Sequence, residues 1–148
     1  MRLARESRYA IEALVVLASA PAGRMVEAGE IAERAHLPAP FLSKIMRSLA
    51  IGGVLRSQRG KGYVLARTPE HIGLDEIVQA VEGRGAIWET CIFWREECDE
   101  AHPCPLHFRW IDLRPGIQDA MSSVTLADIA AHGFESIALV DERRRADR

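Results

Sequence analysis

Residues 28–65 hold the pattern that most restricts what this chain can fold into. Two short apolar-periodic segments, 28–36 and 40–51, are joined through the proline-bearing stretch 37–40, and Gly52 and Gly53 follow the second. In the first, Ile31, Ala32 and Ala35 share one side. In the second, Phe41, Leu42, Ile45, Met46 and Leu49 form an apolar stripe, with Ser43, Lys44, Arg47 and Ser48 largely opposite. Steps of three and four residues are helical spacing. Pro38 and Pro40 suit the end of one helix and the start of another, because proline fits a first turn but not a helix interior. Two helices with so short a joint match a helix-turn-helix. Val54 and Leu55, then Val64 and Leu65, flank the glycine- and cation-rich turn 59–62, which predicts a β-hairpin with a basic tip. Helix-turn-helix followed directly by a hairpin is the plan of a winged helix.

The rest of the chain is mainly helical. Residues 7–20 place Tyr9, Ile11, Leu14, Val15, Leu17 and Ala18 near one face of an amphipathic or mostly buried helix, and Met25 and Val26 suit a short strand. Residues 74–82 predict a helix that Gly83 stops. Residues 83–105 have no clear period. Residues 106–123 predict a longer helix with Leu106, Trp110, Leu113, Ile117 and Met121 recurring on one side. Pro115 and Gly116 inside it predict a kink or break. Thr125 and Asp128 have capping-box spacing, with Asp in place of the usual Glu, at the start of a short last helix. The expected organisation is a DNA-binding domain over 1–67, then a linking helix and metal- or cluster-binding loop over 68–105. A long helix and a short terminal helix over 106–132 follow, and last a tail over 133–148.

Charge is divided unevenly. Residues 1–67 carry 11 Lys/Arg against 5 Asp/Glu, while 68–148 carry 8 against 16. A basic first half beside an acidic second half points to a polyanion partner for the first half alone. A helix fits the major groove, where Ser43, Lys44 and Arg47 could meet base edges. Arg56, Arg59 and Lys61 on the hairpin suit phosphates or the minor groove, and Arg2, Arg5 and Arg8 could add phosphate contacts. No apolar run approaches the roughly 18 residues of a membrane span. The apolar stretch 11–20 after three arginines has the outline of a secretion signal, but Glu12 interrupts it and its periodicity is helical. A cytoplasmic protein with no membrane partner is expected. There is no G-x-S-x-G, P-loop or H-E-x-x-H motif to suggest an enzyme.

All three cysteines lie within fourteen residues, as Cys91, Cys98 and Cys104, and His107 follows in the pattern C-x6-C-x5-C-x2-H. Three thiolates and an imidazole make a full tetrahedral set. Three chemistries compete. Small buried thiols fit poorly with a loop that holds Glu96, Glu97, Asp99 and Glu100. Structural zinc usually takes closer ligand pairs than these gaps provide. An iron–sulfur cluster accepts mixed Cys/His ligation. Spacing alone puts the cluster slightly ahead of zinc. His102 competes with His107 as the imidazole. Trp88, Trp94 and Trp110 either shield the site or simply pack.

Several further residues carry a family resemblance. Arg8, Tyr9 and Ala10 near the start, the segment 30–34, Gly60, Gly62 and Tyr63 on the wing, and Ala80, Val81, Glu82 and Gly83 resemble the IscR/NsrR/RirA-type winged-helix iron–sulfur regulators of bacteria. Cys98, Cys104, Pro105, Leu106 and His107, with Trp110, Leu113 and the segment 125–129, extend the resemblance over about residues 1–132. It implies a homodimeric transcription factor that binds a double-stranded DNA operator and is paired through the helix at 106–123. It also implies an iron–sulfur cluster that couples redox state, iron supply or nitric oxide to DNA affinity. Cys91, Cys98 and Cys104 match the cluster thiolates, and His107 matches the histidine of the branch that favours [2Fe–2S]. Where [4Fe–4S] branches carry an acidic ligand, this chain has Arg8, which cannot ligate, and Glu12 is held in reserve. The wing is shorter than the family's usual one, and the first cysteine gap is wider.

Overall fold

The computed structural model describes residues 3–83, 91, 93 and 99–132. Among the expectations above, Arg2, Cys98, Trp88, Trp94 and the tail lie outside the described residues. The described elements are α1 (Arg5–Ala18), α2 (Ala28–Arg34), α3 (Ala39–Ile51), β1 (Leu55–Gln58), β2 (Gly62–Leu65), a 3₁₀ turn (Pro69–His71), α4 (Leu74–Glu82), α5 (His107–Ser122) and α6 (Leu126–His132). This is the mainly helical winged helix-turn-helix that the pattern predicts.

The helix α1 is the centre of the core. Ala10, Ala13 and Leu14 have no exposed surface, and Ser7, Ile11, Val16 and Leu17 are also buried, so the helix is covered nearly all round. It packs against α2, α3, α4, α6 and β2. One continuous apolar cluster joins α1 to Ile31, Leu42, Met46, Leu49, Val54, Ile72, Ile77 and Leu126.

In the helix-turn-helix, α2 ends in a tight turn. Leu37 N–H donates to Ala32 O at 2.9 Å, and His36 takes the left-handed conformation at φ +54°. This lets buried Leu37 drop into the core before α3 begins. On α3 the predicted stripe is buried at Leu42, Ile45, Met46 and Leu49. Phe41 is a correction, since it is 46% exposed. It sits in the first turn, where a side chain leans back past the helix start and beyond the core. There its ring meets Tyr9 edge-on, with centroids 6.2 Å apart.

The wing is an antiparallel pair in the register Leu55↔Leu65 to Gln58↔Gly62. Val26 extends it by one rung, exchanging backbone hydrogen bonds with Tyr63 at 2.8 and 2.9 Å, so the predicted short strand is a single bridge. That rung requires glycine at position 62. Its φ is +101°, and a Cβ there would stand 2.1 Å from Val26 O.

Helix α5 departs from the sequence reading in one way. It runs unbroken from His107 to Ser122 with Pro115 inside it, so no break occurs. Proline removes one helical hydrogen bond, from Ile111 O. Ile111 and Pro115 are both exposed, so water can serve that carbonyl. Along the predicted apolar side the cover is uneven, with Leu106, Ile117 and Met121 half-buried. Trp110 is buried, whereas Leu113 is 58% exposed. Leu74 N–H to Val124 O and Leu126 N–H to Ile72 O, both 2.8 Å, tie the end of α5 back to α4. The capping box at α6 forms as predicted: Thr125 N–H donates to Asp128 Oδ2 at 2.9 Å, and Asp128 N–H donates to Thr125 Oγ1 at 3.2 Å.

Candidate DNA-binding face and metal centre

The candidate DNA-contacting side chains divide by how they are held. Ser43, Lys44 and Arg47 are exposed along α3, opposite its buried stripe. Ser43 Oγ donates to Ala39 O at 3.3 Å, which keeps its hydroxyl close to the helix. Arg56 on β1 and Arg59 and Lys61 at the wing tip are exposed as well. The tip is closed by Lys61 N–H donating to Gln58 O at 3.0 Å, with Gly60 at φ +77°. Arg8 is held differently, since its Nε donates to Glu12 Oε1 at 2.9 Å one turn along α1.

Just beyond the wing, Arg67 Nη2 donates to Glu76 Oε2 at 2.6 Å, and Gly73 N–H donates to Glu76 Oε1 at 3.2 Å. Partial burial pushes the Glu76 carboxyl up. The hydrogen bonds from Arg67 and Gly73, with the Arg67 charge, outweigh that and hold it below the ordinary value. This pair latches the base of the wing to α4.

The candidate metal centre lies between α4 and α5. Cys91 Sγ and Cys104 Sγ are 4.0 Å apart, although thirteen residues separate them. Cys104 is buried and Cys91 half-buried. Phe93 N–H points at Cys91 Sγ at 3.4 Å. His107 opens α5, its backbone N–H donating to Cys104 O at 3.0 Å, and its side chain is 6% exposed. Trp110 is buried one turn further along, with the Arg114 guanidinium 6.0 Å from its ring centre.

His102 is placed elsewhere. It is exposed beside Asp99, with Nδ1 3.4 Å from Oδ1. The Asp99 carboxylate accepts the N–H groups of His102 and Ala101 at 2.8 and 3.0 Å, and these bonds, the one from His102 foremost, lower its pKa. An acid occupied in this way closes a turn and is poorly placed to serve as a ligand.

The donor chemistry fits a metal. Two thiolates on one tetrahedral ion with metal–sulfur bonds of about 2.3 Å stand about 3.8 Å apart, close to the 4.0 Å separation of Cys91 and Cys104. Among the described residues no three of the His, Cys, Asp and Glu side chains converge into a ligand group. Of the predicted set, Cys98 lies outside the described residues, Cys91 and Cys104 are brought together, and His107 does not join them in a group of three.

Sequence reasoning missed the roles of four residues. Gly62 was read as part of a turn, not as the point where Val26 O comes close. Arg67 and Glu76 were not paired. Glu82 was noted only as part of a motif, yet its carboxylate reaches back to the start of α1, where it accepts from Ala4 N–H at 3.2 Å and from Ser7 Oγ. An acidic residue at the C-terminal end of a helix opposes the helix dipole, and that local misfit was the available signal.

The Rrf2 family, described as an iron-dependent transcriptional regulator, matches residues 3–132. An HTH-type transcriptional regulator of Aquifex aeolicus is 35% identical over 126 residues, covering 82% of this chain and 86% of its own. Among solved structures, CymR of B. subtilis, titled the global cysteine regulator, superimposes with a TM-score of 0.69 at 25% identity, covering 88% of this chain and 97% of that one. The structure titled T. potens IscR gives a TM-score of 0.64 at 26% identity, covering 86% and 85%. Among the described residues no helix is long and apolar enough to cross a membrane.

Proposed function

Because the chain belongs to the Rrf2 family of DNA-binding transcriptional regulators, we propose that it is a homodimeric regulator whose operator affinity follows the state of an iron–sulfur cluster. Its ligands are Cys91, Cys98, Cys104 and His107. The observation that carries this reading is the approach of Cys91 and Cys104 to 4.0 Å, with buried His107 one short turn beyond Cys104. A set of three thiolates and one imidazole favours [2Fe–2S] over [4Fe–4S]. Arg8 supports that preference, because a guanidinium paired with Glu12 offers no lone pair to iron. When bound, such a cluster supplies a one-electron redox centre that is also open to oxygen and nitric oxide chemistry.

The protein's own residues give the coupling its shape. Cys104 and His107 straddle the start of α5, so what they hold sets where that helix begins. Phe108, Ile111 and Leu113 are exposed along α5, which supports pairing with the same helix of a second copy. A change at Cys104 and His107 then alters the distance between two copies of α3. Two recognition helices must match one turn of DNA, so a small shift changes affinity strongly. Ser43, Lys44 and Arg47 meet the major groove of the operator, while Arg56, Arg59 and Lys61, with Arg2 and Arg8 from the N-terminal side, meet its backbone.

A second reading shares the same observation. A 4.0 Å thiol pair suits zinc as well as iron, giving a zinc-stabilised dimer that binds DNA without redox control. Purification without oxygen, a visible spectrum, and iron, sulfide and zinc analysis separate the two. A brown protein with iron and sulfide in like amounts supports the sensor. A colourless, zinc-bearing protein would sink it in favour of zinc. The Cys98→Ala protein is expected to lose the colour and the difference in DNA affinity that accompanies it.

A further inference from the structure

Helix α3 carries one side chain that neither the core nor the cationic face accounts for. Phe41 lies in its first turn and is nearly half exposed. A single exposed apolar side chain is ordinary. This one is set apart by its place. It stands three residues before Lys44, so the two side chains are neighbours on the helix surface. It also belongs to the end of the helix that meets base edges when a helix-turn-helix docks.

That end offers DNA little else. Pro38 at the N-cap makes no side-chain hydrogen bond, and Ala39 and Pro40 follow it. None of the three has a side-chain donor or acceptor. Phe41 N–H and Leu42 N–H both donate to Pro38 O at 3.1 Å, which closes the turn on itself. Ser43 is the first polar side chain, and its hydroxyl is turned back to Ala39 O. The leading turn of α3 is therefore apolar, with Ala39, Pro40 and Phe41 all exposed. Its side chains cannot read a base edge by hydrogen bonds. The apolar feature of the major groove is the 5-methyl group of thymine, and Phe is among the side chains that suit it.

Phe41 is also held ready. A side chain on a first turn leans back past the helix start, and that is the direction in which the helix enters the groove. Tyr9 meets the ring edge-on, with centroids 6.2 Å apart. Tyr9 itself is partly buried on α1 and packs against the core cluster. An aromatic pair of this kind orders the ring before DNA arrives, and a side chain already ordered loses less entropy on binding.

We propose that Phe41 is a specificity-determining residue whose ring reads the 5-methyl group of a thymine in the major groove of each half-site. This rests on the reading of α3 as the helix that enters that groove. Lys44 and Arg47 supply attraction and hydrogen bonds there. Phe41 adds a preference for thymine that involves no charge.

The test exchanges thymine for deoxyuridine, which removes that methyl group and leaves every hydrogen-bonding group of the base in place. The probe is a duplex selected from a random pool by the wild-type protein, read by fluorescence anisotropy. Its thymines are replaced one symmetric pair at a time. At one pair, wild type is expected to lose about fourfold in affinity for each thymine, the effect of burying one methyl group. Phe41→Ala should bind the thymine and deoxyuridine duplexes equally, with its salt dependence unchanged because no phosphate contact is lost. Phe41→Leu keeps most of the ratio, because its side chain is still apolar. Lys44→Ala binds both duplexes more weakly and keeps the ratio. If no thymine pair responds in wild type, or if Phe41→Ala keeps the full ratio, the inference is overturned. Should Phe41→Ala fail to fold, Phe41→Gln, which replaces the apolar ring by an amide, decides in the same way. A wild type that selects no sequence, or Lys44→Ala and Arg47→Ala proteins that bind as tightly as wild type, overturns the reading of α3 and this role with it. Weakened binding by those two variants, with a ratio that Phe41→Ala retains, overturns this role alone.

Discussion

The winged half and the α5 half of this protein solve the folding problem in opposite ways. Helix α1 is covered nearly all round, α3 buries the stripe Leu42, Ile45, Met46 and Leu49, and a shared cluster fixes them together. Helix α5 is the longest described helix, yet it buries only His107 and Trp110 and turns Phe108, Ile111 and Leu113 outward. Its other anchor is a thiol pair. A region that closes on itself can hold a fixed DNA-binding shape. Helix α5 keeps much of its apolar surface exposed, the surface that the proposed second copy would cover.

The sharpest way to break this contrast is to damage each half in turn. Leu14→Ala should cost about 3 kcal/mol, since it opens a cavity at a site with no exposed surface. The loss should be the same with or without metal in thermal unfolding. In metal-free protein Cys104→Ala should cost less than about 1 kcal/mol. Equal losses would mean that the α5 half is as self-sufficient as the other.

Gly62→Ala should cost about 2 kcal/mol, because a Cβ there meets Val26 O in a left-handed backbone. Hydrogen exchange should rise at Val26 and Tyr63 N–H while α5 is unaffected. Normal protection at those two amides would mean that the wing is held elsewhere.

Lys44→Ala and Arg47→Ala should each lower DNA affinity by about 1–2 kcal/mol, roughly tenfold, with no change in melting temperature. A fall in melting temperature would show that the face is structural. Thr125→Ala should cost about 1 kcal/mol through loss of the α6 cap.

The smallest effect concerns the Arg67 latch. Hydrogen bonds hold the Glu76 carboxyl below its ordinary pKa despite partial burial. Its contribution is therefore present above the ordinary carboxylate range and lost as pH falls through the lowered value. At 39% side-chain exposure the contribution is under about 1 kcal/mol. Glu76→Gln should flatten the acid side of the stability curve slightly, and an unchanged acid limb would show that the latch contributes nothing.

Much of the fold was legible because short-range chemistry decided it. Helix α4 has its predicted bounds, since Gly83 stops it. The α6 capping box needs only residues three apart. Phe41 misled because periodicity cannot tell the end of a helix from the part that the core covers. Periodicity placed Leu113 on one side of α5 but could not say whether this chain covers that side. Pro115 does not break α5, because the carbonyl it leaves unpaired belongs to exposed Ile111 and is open to water.

By itself, then, the sequence determined the order of elements, the cation-bearing face of α3 and the wing, and the presence of three thiols near one histidine. Periodicity, turn residues and composition are local properties. Only the tertiary structure decided that Cys91 and Cys104 meet at 4.0 Å, that His107 is buried while His102 faces solvent, and that Glu82 closes the start of α1. Each of these depends on where chain segments far apart in sequence come to rest, and that is set by how the whole core packs.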